Sequence, residues 1–307
     1  MENLIISFNA IMPMFLIMGL GCFIRNRGFM TEDALNRLNR TNFYFFLSAM
    51  CFQSAYTGDL SGIGSGSVIL FCVIGILIEF FASDRWVGLI DQDPSHHAIL
   101  MQSCFRSNTM LIGLPLAKAL FDDVAIVVIV YAVTIPMYNF FGALAFEKDR
   151  GGKLSFTSLV LKNPLVISTL AGLLLNVLRV RLPVFLTSAV NTLSAMAGGL
   201  ALIILGAIFR FSGAKKHAKS LAAGCLLRLV VLPLLFVTAG VLLGYRGAEV
   251  IAVLTIFGCP VPPAMFTMAK EMGGDAEFAS EVVVFTTLFS MVTLFFGVFL
   301  LKSTHLI

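Results

Sequence analysis

Apolar residues run along this chain in long blocks, separated by short breaks that carry glycine, proline and charge. The blocks fall at about 4–24, 40–57, 67–83, 98–121, 124–146, 163–179, 184–210, 220–244, 248–270 and 279–301. A bilayer core needs about 20 apolar residues per helix, so the pattern predicts ten transmembrane helices. Glu2 precedes the first block, with no basic segment before it and no small-residue cleavage site after it, so this block is expected to stay as a span rather than leave as a signal peptide. The longest interior hydrophilic stretch, Glu147 to Lys162, divides the spans five and five. The predicted organisation is a single membrane domain built from residues 1–150 and 151–307, without a separate soluble domain. With five spans per unit, a homologous second unit enters the membrane upside down, which is the inverted repeat of many secondary transporters.

Composition narrows the class. The chain is 58% hydrophobic and only 12% charged, with a mean hydropathy of +0.95. Soluble domains sit near ~45–50% apolar and ~25% charged. A soluble enzyme, a nucleic-acid binder and a secreted disulfide scaffold are therefore excluded as readings, and the lipid bilayer is the first expected partner. The six cysteines all lie in apolar stretches without a CxxC pair and read as buried free thiols. Neither a metal nor a cofactor is expected.

The net charge of +4 reflects loops rather than an acidic partner. Loops on one side carry fourteen lysines and arginines, including Arg25, Arg37, Lys148, Arg150, Lys153, Lys215 and Lys216; the opposite side carries five. The richer side is predicted to be cytoplasmic, which places both termini on the non-cytoplasmic side of the cell membrane. Two basic residues, Arg106 and Arg228, fall inside spans.

Two spans at equivalent places in the halves contain strong breakers. The fourth holds Gly113-Leu-Pro115, and the ninth holds Pro260-Val-Pro262-Pro263. An interior proline removes an amide donor and clashes with the preceding turn, at a cost of ~3 kcal/mol or more, so both helices are expected to break there. Paired broken helices point to a binding site at mid-membrane. Pro13, Pro136 and Pro233 are single mid-span prolines and read as ordinary kinks.

The stretch Arg106-Ser-Asn108-Thr109-Met-Leu-Ile-Gly113-Leu-Pro115 resembles the fourth-helix motif of the auxin efflux carrier family of membrane transporters. Asparagine, glycine and proline stand in the register of plant auxin exporters, and the arginine is similar to that of bacterial malonate permeases. Further matches are Pro260-x-Pro262-Pro263 with Ala269-Lys270-Glu271, Arg228 with Pro233, Lys162-Asn163-Pro164, and Thr286-Thr287-x-x-Ser290, which together cover nearly the whole chain. The resemblance implies an all-α membrane fold of ten helices in two inverted repeats of five, similar to sodium/proton antiporters. In that fold helices four and nine cross at their breaks, and a small organic carboxylate binds beside the crossover. Many members carry prolines in the second and seventh helices where this chain has Ser48 and Gly199.

The chemistry of such a site follows from the residues. A broken helix exposes amides at the start of its second half, where the peptide dipoles place roughly +0.5 charge. Two such ends, near Pro115 and Pro262, favour an anion. Arg106 adds a full charge and a planar fork suited to a carboxylate. Helical spacing puts Asn108 on a different face from Arg106, so Asn108 is expected beside the crossover and Arg106 along the cytoplasmic approach or bonded into the scaffold. The candidate binding set is Asn108, Arg106, Gly113, Pro115, Pro260, Pro262 and Pro263. Asn42, Tyr131, Asn139, Thr286 and Ser290 are candidate pocket lining, although hydroxyls in membrane helices often bond backbone instead. Arg228 and Pro233 read as structural, with helix ends or Glu79 as partners for the guanidinium.

Other features read blandly. His96-His97 is expected to be a solvated pair, since adjacent histidines splay apart on a helix and no third metal ligand is apparent. Gly62-x-Gly64-x-Gly66 reads as a linker, and Asp122-Asp123 as a turn and helix cap. All acids are expected in loops or near span ends, with Glu79 and Glu281 the closest to burial, so tight coupling to a cation has no support. No nucleotide-binding or protease motif occurs, which argues against an enzyme. The sequence thus predicts a secondary transporter for a small organic anion, working by alternating access; the alternative is a membrane receptor that senses the same anion. A homodimer is left open.

Overall fold

The computed structural model describes residues 2–58, 66–149, 163–210 and 216–307. Among these residues the fold is all helix, turn and loop, with no strand. In chain order the helices are α1 (Glu2–Asn26), α2 (Glu32–Thr41), α3 (Ser48–Tyr56), α4 (Ser67–Ile90), α5 (Pro94–Phe105), α6 (Leu114–Leu120) and α7 (Ala125–Asp149). They continue with α8 (Pro164–Val177), α9 (Val184–Ile208), α10 (Ala218–Leu226), α11 (Leu232–Leu242), α12 (Ala248–Gly258), α13 (Pro263–Met272) and α14 (Ala276–Ser303). Six stretches are long and apolar enough to cross a membrane: Ser67–Ile90, Ala125–Lys148, Val184–Ile208, Ala218–Leu242, Ala248–Met272 and Ala276–Ser303. Leu16, Phe81, Leu174, Phe185, Leu234 and Phe296 are exposed large apolar residues, as lipid contact requires. Gly62, Gly64 and the hydrophilic stretch from Arg150 to Lys162, which holds the boundary between the two units, lie outside the described residues.

Local chemistry sets the helix ends. Asp93, Asn163 and Asp275 each cap a helix with a side-chain oxygen that accepts early backbone amides, and Pro94 and Pro164 fill first-turn positions where no amide is needed. Asp123 accepts the amide of Ala125 at the start of α7, the cap expected of Asp122-Asp123. Among the described residues, three wide π-helical turns interrupt the ladder, at Asn42–Leu47, Thr109–Gly113 and Leu227–Val231. The last two come just before Pro115 and Pro233, where a widened turn accommodates the missing proline donor. The first comes just before Ser48, where the resemblance led to an expectation of proline; its hydroxyl donates to the Phe43 carbonyl at 3.1 Å. The irregular turn is therefore present without the proline.

Helices α1, α3, α8 and α9 pack on one another at backbone distance. A Cβ on Gly21 would strike the Ile203 carbonyl, one on Gly206 the Met18 carbonyl, and one on Gly172 the Phe52 carbonyl. Small residues at helix crossings are the usual basis of association where water supplies no driving force. The α12–α13 stretch is the most buried of the six long segments. Around it sit α4, α5, α7, α11 and α14, with Phe236 stacked on Phe257 at 3.9 Å.

One sequence expectation fails here. Helix α4 runs on through Arg85 to Ile90, so Glu79 lies halfway along it rather than near an end. Its side chain is buried, and neither carboxylate oxygen has a hydrogen-bond partner. The opposite charge acting on it through space is Arg228. A carboxylate does stand at mid-span, and the absence of one is no argument about coupling.

Candidate functional site

Both broken helices are present, and they cross. The first break is at 106–108, between α5 and the turn that begins at Thr109. The second is at 259–262, between α12 and α13. The Asn108 amide donates to the Pro260 carbonyl at 2.8 Å, and the Ser107 hydroxyl donates to the Thr255 carbonyl at 2.7 Å. Thr286 of α14 accepts the Val261 amide at 3.3 Å. In a region without water every exposed backbone group needs a partner, and these bonds supply it.

Arg228 satisfies the opposite polarity. Its guanidinium donates to the carbonyls of Cys259 at 2.7 Å, Cys104 at 2.7 Å and Ile256 at 2.8 Å. These belong to the C-terminal ends of α5 and α12, so one cation caps both helices at their breaks. A positive charge is favourable at such ends. The structural role expected of Arg228 thus has a specific form. Pro233 begins α11 one turn further on and packs near Gly258.

A cavity of about 370 Å³ opens beside the crossover. Its walls come from α3 (Met50, Gln53), the first break (Arg106 to Leu111), α7 (Tyr138, Asn139), α9 (Ser194 to Ala201) and the second break (Pro262 to Ala264). It reaches Thr57, at the end of α3, on the predicted outer face. Arg106 donates to Gln102 Oε1 at 2.9 Å, Met268 Sδ at 2.7 Å and Asn139 Oδ1 at 3.1 Å. These bonds take three of its five N–H groups. Among the described residues no carboxylate lies within ion-pair reach of Arg106. The cavity wall therefore carries a buried cation with donors to spare and no acid opposite it.

The membrane transport protein family matches residues 6–158 and 152–298, nearly the whole chain. The chain belongs to this family. An uncharacterised transporter from Methanothermobacter thermautotrophicus is 24% identical over 296 residues, covering 94% of this chain and 96% of its relative. The family is the one that the auxin efflux carrier motifs resemble.

In this membrane transport protein the structure brings together part of the predicted set. Arg106, Asn108, Asn139, Pro262 and Pro263 line the cavity; Pro260 holds the crossover from behind through its carbonyl. Two readings are corrected. Arg106 is bonded into the scaffold, one of the two places expected of it, but it is not on a separate face from Asn108: both line the cavity, because residues 106–108 are not helical and helical spacing does not apply to them. Pro115 is not the break: it lies in the first turn of α6, inside the second half-helix, and neither it nor Gly113 reaches the cavity. Gly113 instead makes room for the Tyr131 hydroxyl, which a Cβ there would meet at 2.5 Å.

The other candidates bond protein. Asn42 donates to the Ala197 carbonyl at 3.3 Å, Tyr131 to Thr255 Oγ1 at 2.7 Å, and Ser290 to the Thr287 carbonyl at 2.7 Å. Sequence reasoning passed over Gln102, which positions the Arg106 fork from one helical turn before it. A polar residue four positions from a buried arginine was the signal. Gly199 lies within the unbroken α9 and lines the cavity.

Proposed function

We propose that this protein is a secondary transporter that moves a small organic carboxylate across the cell membrane by alternating access, with its substrate site at the helix crossover. The proposal includes ten spans in two inverted repeats, both termini on the non-cytoplasmic side, and an outward-facing cavity in the present conformation. The observation that carries it is Arg106: a buried arginine costs ~2.5–3.5 kcal/mol within a span, and here its charge is left uncompensated at the wall of a cavity. Asn108 supplies both donor and acceptor beside it. The half-helices that start at Thr109 and Pro263 both begin at the cavity, so their first amides and dipoles add positive potential there. The cavity is lined by α3 and α9 together with α7 and the two breaks, so motion of one group against the other would open and close it. Uptake of radiolabelled mono- and dicarboxylates into proteoliposomes tests the reading. Saturable uptake supports it, whereas saturable binding without flux identifies a receptor.

A further inference from the structure

At the predicted cytoplasmic end, three helix starts that are remote in sequence converge. His96 lies in the first turn of α5, His217 stands at the residue before α10, and Asp275 caps α14. One ligand atom from each lies within 4.8 Å of the others, and the two imidazoles meet edge to face at 5.0 Å. The expectation of a solvated histidine pair is overturned for His96: its side chain is 6% exposed and that of His217 5%. The companion ligands were invisible locally because they come from the other half of the chain.

The hydrogen bonding assigns each ring a face. His96 Nδ1 lies 2.8 Å from Asp91 Oδ2, and His217 Nδ1 lies 2.9 Å from Glu281 Oε2. A carboxylate accepts, so the hydrogen is assigned to each Nδ1, and the neutral form of each ring then presents a lone pair at Nε2. Both Nε2 atoms are buried without a hydrogen-bond partner. Asp275 Oδ1 is occupied by the amides of Glu277 and Phe278, while its Oδ2 faces His96 Nε2 at 3.5 Å. The three side chains thus bring ligand atoms within 4.8 Å of one another, with both Nε2 atoms unpartnered, an arrangement that a cation would satisfy.

We propose that His96, His217 and Asp275 bind a zinc-like divalent cation that fastens the starts of α5, α10 and α14 together. Two imidazoles and one carboxylate suit zinc and leave a fourth position open; a further carboxylate, Asp93, has its Oδ2 3.9 Å from His96 Nε2. Asp91 and Glu281 are the outer carboxylates that orient metal-bound histidines and raise their basicity. Bonds of ~2.0–2.2 Å require ligand atoms ~3.3–3.5 Å apart, so closing the site takes shifts of about 1 Å. The ion would act on transport from a distance, since α5 leads into the first break and α14 holds the second through Thr286.

The test uses the full chain, purified in detergent and stripped with chelator, then titrated with Zn²⁺ and, as a control, Mg²⁺. One zinc per chain is expected, with an upward shift in melting temperature. His96→Gln and His217→Gln should each weaken zinc affinity at least tenfold, while His97→Gln should not. Co²⁺ loading of the parent protein keeps the test decisive if variants misfold: visible d–d bands of a four-coordinate N/O site are expected. Sulfur-to-cobalt charge transfer would assign the ion to cysteines, and absent saturable binding or stability that responds only to pH would leave a proton as the shared cation. Either result overturns the proposal.

Discussion

The Asn108 amide and the Pro260 carbonyl meet at 2.8 Å, so each broken helix supplies half of the bond that closes the other. The crossover is thereby held by backbone, which mutation of side chains does not remove. The neighbouring cations divide the remaining work. Arg228 caps carbonyl ends behind the crossing, and Arg106 faces the cavity in front of it.

That division predicts different phenotypes for the two arginines. Arg228→Lys keeps the charge, but an ammonium on a single stem cannot meet three carbonyls spread around a planar fork. A lost charged hydrogen bond costs ~1.5–3 kcal/mol. Unfolding in detergent should show destabilisation of about that size, while the remaining folded protein keeps its substrate affinity. An unchanged melting temperature contradicts the capping role.

Gly142 tests the seating of Arg106. A Cβ at this position would lie 2.7 Å from Arg106 Nη1 and 2.9 Å from Gln102 Oε1. Gly142→Ala should disrupt the Nη1 bonds to Gln102 and Met268, unseat the guanidinium and weaken carboxylate binding roughly tenfold, equal to about 1.4 kcal/mol. Calorimetric titration reads this directly, and parental affinity in the alanine variant contradicts the assigned geometry.

Glu79 bears on coupling. It sits at mid-span yet does not line the cavity, and its electrostatic partner is the structural Arg228. Flux should persist when sodium and proton gradients are collapsed, should respond to membrane voltage, and should behave the same in Glu79→Gln. Proton-driven accumulation that disappears in Glu79→Gln would make this residue the coupling site.

Orientation rests on the basic loops. In a cysteine-free background, a cysteine placed within 151–153 should be labelled by an impermeant reagent only from the cytoplasmic side, and one at position 62 only from outside. The opposite pattern reverses the topology and turns the cavity at Thr57 inward.

Much of this was legible in the sequence, for reasons that also explain the misses. Long apolar blocks report burial in lipid regardless of tertiary detail, and Pro260, Pro262 and Pro263 mark a break because a helix interior does not tolerate three prolines within four residues. Pro115 misled because a π turn absorbs a lone proline, whereas the real break at 106–108 has no breaker residue and exists through bonds to Thr255 and Pro260. Once those residues leave the helix, the spacing rule that separated Arg106 from Asn108 lapses. Glu79 was read as near an end because the apolar block stops at about 83, yet α4 continues past the charged Asp84 and Arg85 to Ile90. The His96, His217 and Asp275 cluster joins positions more than a hundred residues apart in two of its three pairs, which no local pattern encodes.

The central claim is that the cavity at the crossover binds a carboxylate through Arg106 and Asn108. Its most direct measurement is substrate affinity, with initial flux, for folded Asn108→Ala, Asn108→Asp and Arg106→Lys in proteoliposomes. Loss of a hydrogen bond to a charged ligand is worth ~1.5–3 kcal/mol, so Asn108→Ala should lose roughly tenfold to a hundredfold in affinity. Asn108→Asp should lose more by placing like charge beside the anion, and Arg106→Lys should lose affinity through the missing fork alone. Parental binding and flux in both Asn108 variants would contradict the account and move the site away from the crossover.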